Sequence, residues 1–182
     1  MSKGSSDKDS TLAALLRHKP KRGRPRREVS RDNVYIELSE EQKQQISDMA
    51  DWLPENFVRA DVADMAIMVL AARLEALRRA VAGRTREIPE GITDLDSLYV
   101  LWDLPSPETI SESRWTSIRV SPQQAIELGR AHGTLNVLFG ATRSEVFGLG
   151  LALLAHFVEN ELPGDEVTSL LEMKESISDL YL

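Results

Sequence analysis

The chain has 182 residues, 42% of them hydrophobic and 28% charged, which is a globular composition sufficient for one ordinary domain or two very small ones. It has no cysteine, and its three histidines (His18, His132 and His156) are far apart, so there is no disulfide framework and no metal-ligand spacing. The formal net charge is −7, and no apolar run approaches the roughly 20 residues that span a bilayer, so the chain reads as a soluble cytoplasmic protein without cofactor, metal or membrane contact.

The charge is divided along the chain. Residues 1–33 hold ten Lys/Arg against four Asp/Glu, leaving twelve against twenty-five for the rest. A basic arm on an acidic body suits the capture of a polyanion. Residues 1–30 read as a disordered arm, with a frayed helix over 10–18. Within the arm stands "KRGRPRR", residues 21–27. Pro25 holds the backbone extended, and Gly23 leaves no side chain to lift it off a surface. The stretch resembles the AT-hook, a short DNA-binding peptide of chromatin and nucleoid proteins. That resemblance implies a preference for the narrow A·T minor groove, carried by Arg22, Gly23, Arg24 and Pro25, with Lys21, Arg26 and Arg27 on phosphates. The plainer alternative is a generic basic patch or localisation signal.

The body contains a repeat. "NVYIELSEEQKQQI" (33–46) parallels "WTSIRVSPQQAIEL" (115–128), and "VRADVADMAIMVLAARLE" (58–75) parallels "TRSEVFGLGLALLAHFVE" (142–159). Ile36 matches Ile118, 82 positions on, and Arg59 matches Arg143, 84 positions on. The repeating unit is about 45 residues long.

In the first copy (31–82), Val34, Ile36 and Leu38 alternate with Asn33, Tyr35 and Glu37, the period of a half-buried strand. Ser39 with Gln42 makes a capping box for a helix with apolar face Ile46, Met49, Ala50 and Leu53, broken at Pro54. A longer helix follows with Val62, Met65, Ala66, Val69, Leu70, Leu74 and Leu77 inward. Residues 83–113 are a linker containing a short apolar helix over 93–105, started by Thr93 or Asp94 and stopped at Pro105, whose Leu95, Leu98, Tyr99, Leu101 and Trp102 pack on the body or an oligomer contact.

In the second copy (114–160), Thr116, Ile118 and Val120 alternate with Trp115, Ser117 and Arg119. Ser121 is expected to cap the next helix with Gln124 completing the box, Pro122 at its first position and Gly133 ending it. Thr142 and Glu145 cap the last helix of the repeat. Gly148 and Gly150 within it suggest a close helix crossing. Residues 161–182 form an acidic amphipathic helix with Val167, Leu170, Leu171, Ile177 and Leu180 on one face.

One strand and two helices cannot make a stable domain, but two copies can pair their strands and enclose a core with four helices. This resembles the ribbon-helix-helix family, the MetJ and Arc class of DNA-binding proteins. The fold it implies is mostly α with short β: a two-stranded antiparallel ribbon and four core helices, plus a connector helix and a C-terminal helix. The resemblance implies a ribbon in the major groove, read out by Asn33, Tyr35, Glu37, Trp115, Ser117 and Arg119. It also implies phosphate anchors at the second helix of each copy: Arg59 in one, and Thr142, Arg143 and Ser144 in the other. Glu37 faces a negative groove in that picture, and Tyr35 and Trp115 are bulky for base readers.

The copies pair within one chain as a pseudo-dimer, or between chains as a homodimer. Glu37 opposite Arg119 favours the former. The function implied is a double-stranded-DNA-binding regulator, prokaryotic or of a mobile element, acting as a repressor or plasmid-maintenance factor at the nucleoid. The alternative is an antitoxin-like or adaptor protein whose repeats are a dimerisation scaffold and whose 93–105 or 161–182 segment binds a protein partner. An enzyme is not expected, because no Gly-rich phosphate loop, G-x-S-x-G or nucleophile–His pattern occurs.

Overall fold

The computed structural model describes residues 30–53, 57–82, 91–107, 112–161 and 169–181. The basic stretch 21–27, the expected helix over 10–18, Pro54, linker residues 83–90 and Val167 lie outside the described residues.

Alternation makes the two strands. β1 (Asp32–Leu38) buries Ile36 and Leu38 and half-buries Val34, while β2 (Arg114–Val120) buries Ile118 and Val120 and half-buries Thr116. The two pair antiparallel with one another, within the chain, as a two-stranded sheet. A ribbon of two strands is marginal alone. Its inner apolar row is covered here by helices.

Each strand leads into two helices. α1 (Glu40–Trp52) starts at Ser39, whose hydroxyl accepts the Gln42 N–H while the Gln42 side chain accepts the Ser39 N–H, a complete capping box. α2 (Arg59–Ala82) has no capping hydroxyl at Val58; Asp61 supplies the other half of the box, its carboxylate accepting the Val58 N–H at 2.9 Å. From Asp61 to Ile67 every residue of α2 is buried. A helix enclosed on all sides is central, and α2 packs against α1, α4 (Pro122–Phe139), α5 (Arg143–His156) and α6 (Leu170–Tyr181).

α5 is the second core helix. Thr142 and Glu145 form its capping box as expected. A Cβ on Gly150 would sit 2.9 Å from the backbone oxygen of Ala66, so α5 crosses α2 at a distance only glycine permits. The last turn of α5 runs into a π-helical segment, Phe157–Glu161, and Glu161 pairs with Arg73 of α2 at 2.7 Å.

The connector helix α3 (Leu95–Leu101) is capped by Asp94, whose carboxylate accepts the Ser97 N–H at 2.8 Å. It buries Leu98 and Tyr99, and Leu104 just beyond it. Burial, with Asp96 and Glu145 nearby, pushes the Tyr99 hydroxyl up to about 12.

Several expectations need correction. The cap on α4 is not Ser121–Gln124: the Ser121 side chain makes no cap bond, and its N–H donates instead to Asp64 of α2 at 2.8 Å. The Gln124 Oε1 is buried without a partner. Gly133 does not end α4. The helix continues to Phe139 because Leu128, Ala131 and Leu135 hold one buried face through it, and Gly140, at φ 70°, is the left-handed cap. α3 stops at Leu101 rather than running to Pro105, and Leu101 is exposed. In α6 Ile177 is buried as expected, but its buried partner is Met173, four residues before it, while Leu171 and Leu180 face out. Glu37 does not oppose Arg119, since the register pairs Glu37 with Trp115 and Asn33 with Arg119.

Candidate nucleic-acid interface

Cross-strand partners share a face of a ribbon. Three pairs form its outer face: Asn33 with Arg119, Tyr35 with Ser117, and Glu37 with Trp115. These are the six residues expected there. Tyr35 is 65% exposed and Trp115 71%; Asn33, Ser117 and Arg119 are exposed, and Glu37 is part-buried.

The register carries an internal symmetry. β1 and β2 have ranges displaced by the same 82 positions as the repeat (32 to 114, 38 to 120). Tyr35 is thereby the equivalent of its own partner Ser117, so a pseudo-twofold axis passes through that central pair. The axis exchanges Asn33 with Trp115 and Glu37 with Arg119, which is why the two charges sit at opposite ends of the ribbon and not across from each other.

A helix start flanks each edge. At the β1 edge, the Ser144 hydroxyl in the first turn of α5 accepts the Glu37 N–H at 2.8 Å, tying that helix end to the ribbon. Arg143 beside it is exposed, as is the cap residue Thr142. The Glu37 carboxylate accepts a bond from the Ser113 hydroxyl at 3.3 Å. At the β2 edge lies the start of α2. Between them is a cleft of about 250 Å³ whose lining includes Lys43, Arg59, Ala60, Ser117 and Arg119. Arg59 is exposed, its guanidinium donating to the Ser47 hydroxyl at 2.7 Å. Lys43 pairs with Glu40 at 2.7 Å, and that lysine, with Arg114 nearby, holds the Glu40 carboxyl below the ordinary range. The arrangement presents cations and a positive helix end at either edge of an amphipathic face, which is chemistry for phosphates at the edges and flat groups between.

The sequence reading missed the polar cluster under one end of the ribbon. Arg31, just before β1, has a side chain only 9% exposed. It donates to Asp61, to Asp64 at 3.0 Å and to the Ala60 carbonyl at 2.8 Å, with a longer contact of 3.5 Å to the Arg119 carbonyl. Asp61 and Asp64 are themselves buried. Burial holds the Asp64 carboxyl above its ordinary value, opposed by the Ser121 N–H and the Arg31 charge and reinforced by Asp61. The available signal was two aspartates three residues apart on the otherwise apolar inner surface of a helix, a pattern that demands a buried cation.

Among the described residues no group of three or more His, Asp or Glu side chains is arranged to hold a metal ion. No single helix among them is long and apolar enough to cross a membrane. Compared with protein-family models, curated proteins and solved structures, the chain matches none.

Proposed function

We propose that this chain is a sequence-specific double-stranded-DNA-binding regulator, a ribbon-helix-helix unit assembled from two tandem copies, with the ribbon reading the major groove and the basic arm an A·T minor groove. One observation carries the reading. Six side chains of mixed hydrogen-bonding and flat apolar character project from one ribbon face, symmetric about Tyr35–Ser117, between two helix starts that carry Arg59 and Arg143. A ribbon of this width fits the major groove, where Arg119 reaches guanine and Asn33 reaches adenine. Ser117 serves several bases. Glu37, engaged by Ser113, is left to accept from a cytosine amino group, and Tyr35 and Trp115 lie against sugar and thymine methyl groups.

The test is selection from a random duplex pool, followed by affinity measurement over a salt series. The reading expects a defined core site, lost on combining Asn33→Ala with Arg119→Ala. It also expects log affinity to fall with log salt at about 0.9 per phosphate contacted. Affinity unchanged between low and moderate salt would refute it.

A second reading, an adaptor or antitoxin-like scaffold with accessory DNA contact, is favoured by apolar side chains exposed away from the ribbon. These are Ile126, Val137 and Leu138 on α4, and Val100 and Leu101 on α3. A stoichiometric protein partner, released by Val137→Asp with Leu138→Asp while the core site is still bound, would support it.

A further inference from the structure

The two halves of the ribbon share a frame and differ in what they present. Across the pseudo-twofold axis, Ile36 matches Ile118 and Leu38 matches Val120 on the buried face. Arg59 matches Arg143 at the two flanking helix starts, and both are exposed. The parts that would position the ribbon on a duplex are therefore alike in both halves. The outer face is not. The axis exchanges Asn33 with Trp115, Tyr35 with Ser117 and Glu37 with Arg119, so no outer position keeps its chemistry. At one end, Asn33 beside Arg119, the face offers an amide and a guanidinium fork. At the other, Glu37 beside Trp115, it offers a carboxylate and an indole that is 71% exposed.

We propose, on the basis of the DNA reading above, that the ribbon recognises a mirror-repeat core. In such a core, base pairs equidistant from the centre carry the same base on the same DNA strand. The site of a symmetric ribbon would carry complementary bases there.

The pseudo-twofold axis fixes which DNA strand each half faces. Where Arg119 faces a base on one DNA strand, its equivalent Glu37 faces the other strand, at the same distance beyond the centre. A symmetric reader puts the same side chain at both places and so selects an inverted repeat. Arg119 has only donors, which match the O6 and N7 acceptors of guanine. Glu37, as a carboxylate, has only acceptors; the guanine edge repels it, and the cytosine N4 amino group suits it. Cytosine facing Glu37 leaves guanine on the strand that Arg119 reads, so that strand carries guanine on both sides of the centre. The second pair obeys the same rule. Asn33 takes adenine through N6 and N7, and the flat Trp115 packs on the methyl group of thymine at the equivalent place. Both adenines then fall on one strand as well. Asn33 and Glu37 are four residues apart along β1, about 13 Å, so the two ends read base pairs about four steps apart.

The test uses the full-length chain and the core selected above, in duplexes with identical flanks. Three cores are compared: the selected one, an inverted repeat of its left half, and an inverted repeat of its right half. The selected core should bind about tenfold or more tighter than either inverted repeat, because each repeat sets the wrong bases against one end of the ribbon. Orientation gives a second readout. The chain has no cysteine, so Ser30→Cys, exposed just before β1, accepts a single iron chelate that cleaves DNA on one side of the core. The outer residues are then exchanged between strands: Asn33→Trp, Tyr35→Ser and Glu37→Arg with Trp115→Asn, Ser117→Tyr and Arg119→Glu. The exchange keeps the composition and the cross-strand pairs, and cleavage of the selected core should move to its opposite side. An inverted repeat bound as tightly as the selected core, or cleavage left on the same side by the exchanged ribbon, would overturn the mirror repeat while leaving DNA recognition intact. A pool that yields no core overturns the DNA reading itself, and the mirror repeat with it.

Discussion

Arg31→Met breaks the buried cluster from its cationic side. The arginine side chain is 9% exposed, and Asp61 and Asp64 are 8% and 5% exposed as residues, so water cannot replace the lost charge without opening the ribbon end. Removing one partner from a buried ionic cluster costs about 3–5 kcal/mol, because the remaining charge is uncompensated. For a chain of this size each kcal/mol lowers Tm by about 2–4 °C, so the expected drop is about 10 °C. The loss must depend on pH. Burial already holds the Asp64 carboxyl above its ordinary value, with Arg31 among the groups pulling it down, so the substitution raises it further. A carboxyl whose folded value exceeds its unfolded value keeps more protons in the folded chain between the two. Stability is therefore greatest below the unfolded value and is lost as pH rises through the raised folded value. The deficit of Arg31→Met against the native chain should be larger at pH 7.5 than at pH 5. Urea unfolding followed by circular dichroism at both pH values measures it. A deficit under about 1 kcal/mol at pH 7.5, or one equal at both values, would refute the account of this cluster as a buried, charge-compensated anchor. Asp64→Asn should cost less, about 2–3 kcal/mol: its Oδ1 still accepts the Ser121 N–H and Asp61 still pairs with Arg31, but an amide NH2 replaces the oxygen that accepts from the Arg31 guanidinium.

The neighbouring helical glycines should answer differently to alanine. At Gly150 the new methyl meets the Ala66 backbone at 2.9 Å, and the overpacking cost of about 1–3 kcal/mol exceeds the roughly 1 kcal/mol of helix propensity gained. At Gly148 it meets the end of the Gln42 side chain at 2.9 Å, and the loosened bond from the Ser39 N–H roughly offsets the helix propensity gained, so thermal unfolding should report a change within about 0.5 kcal/mol. Gly133→Ala, inside α4 with nothing near its Cβ, should stabilise by about 0.5–1 kcal/mol. Arg119→Ala should weaken binding to the selected core by about tenfold or more and relax preference at one base pair, with a much smaller effect on random DNA in a competition assay.

Local pattern made much of the molecule legible. The strand alternation, the Ser39–Gln42 and Thr142–Glu145 boxes and the repeat offset each depend on residues a few positions apart, and the structure contains those strands and caps. What escaped depends on distant residues. Ser121 and Gln124 look as much like a box as Ser39 and Gln42, but Asp64, 57 positions away, takes the Ser121 N–H. Gly133 and Gly140 are equally good stops in isolation, and burial of Leu135 decides between them. In α6 the apolar pattern picks out Ile177, which is buried, but it also picks Leu171 and Leu180, and packing against α2 takes Met173 in their place. The ribbon's outer residues were legible as a set. Their pairing was not, since it depends on where the two-fold falls.

Pairing both strands inside one polypeptide changes how occupancy would scale with dose. A ribbon made from two chains exists only above its assembly concentration, and its DNA occupancy rises with a power of protomer concentration. With both strands supplied by one chain, forming the ribbon calls for no second copy, so under the proposed DNA reading a handful of molecules per cell would be as fully assembled as thousands. Occupancy would then track copy number in simple proportion until the site fills. The same covalent link frees each half from having to match itself: at the central pair, where a ribbon of two identical chains would set one residue against its own copy, this chain sets Tyr35 against Ser117.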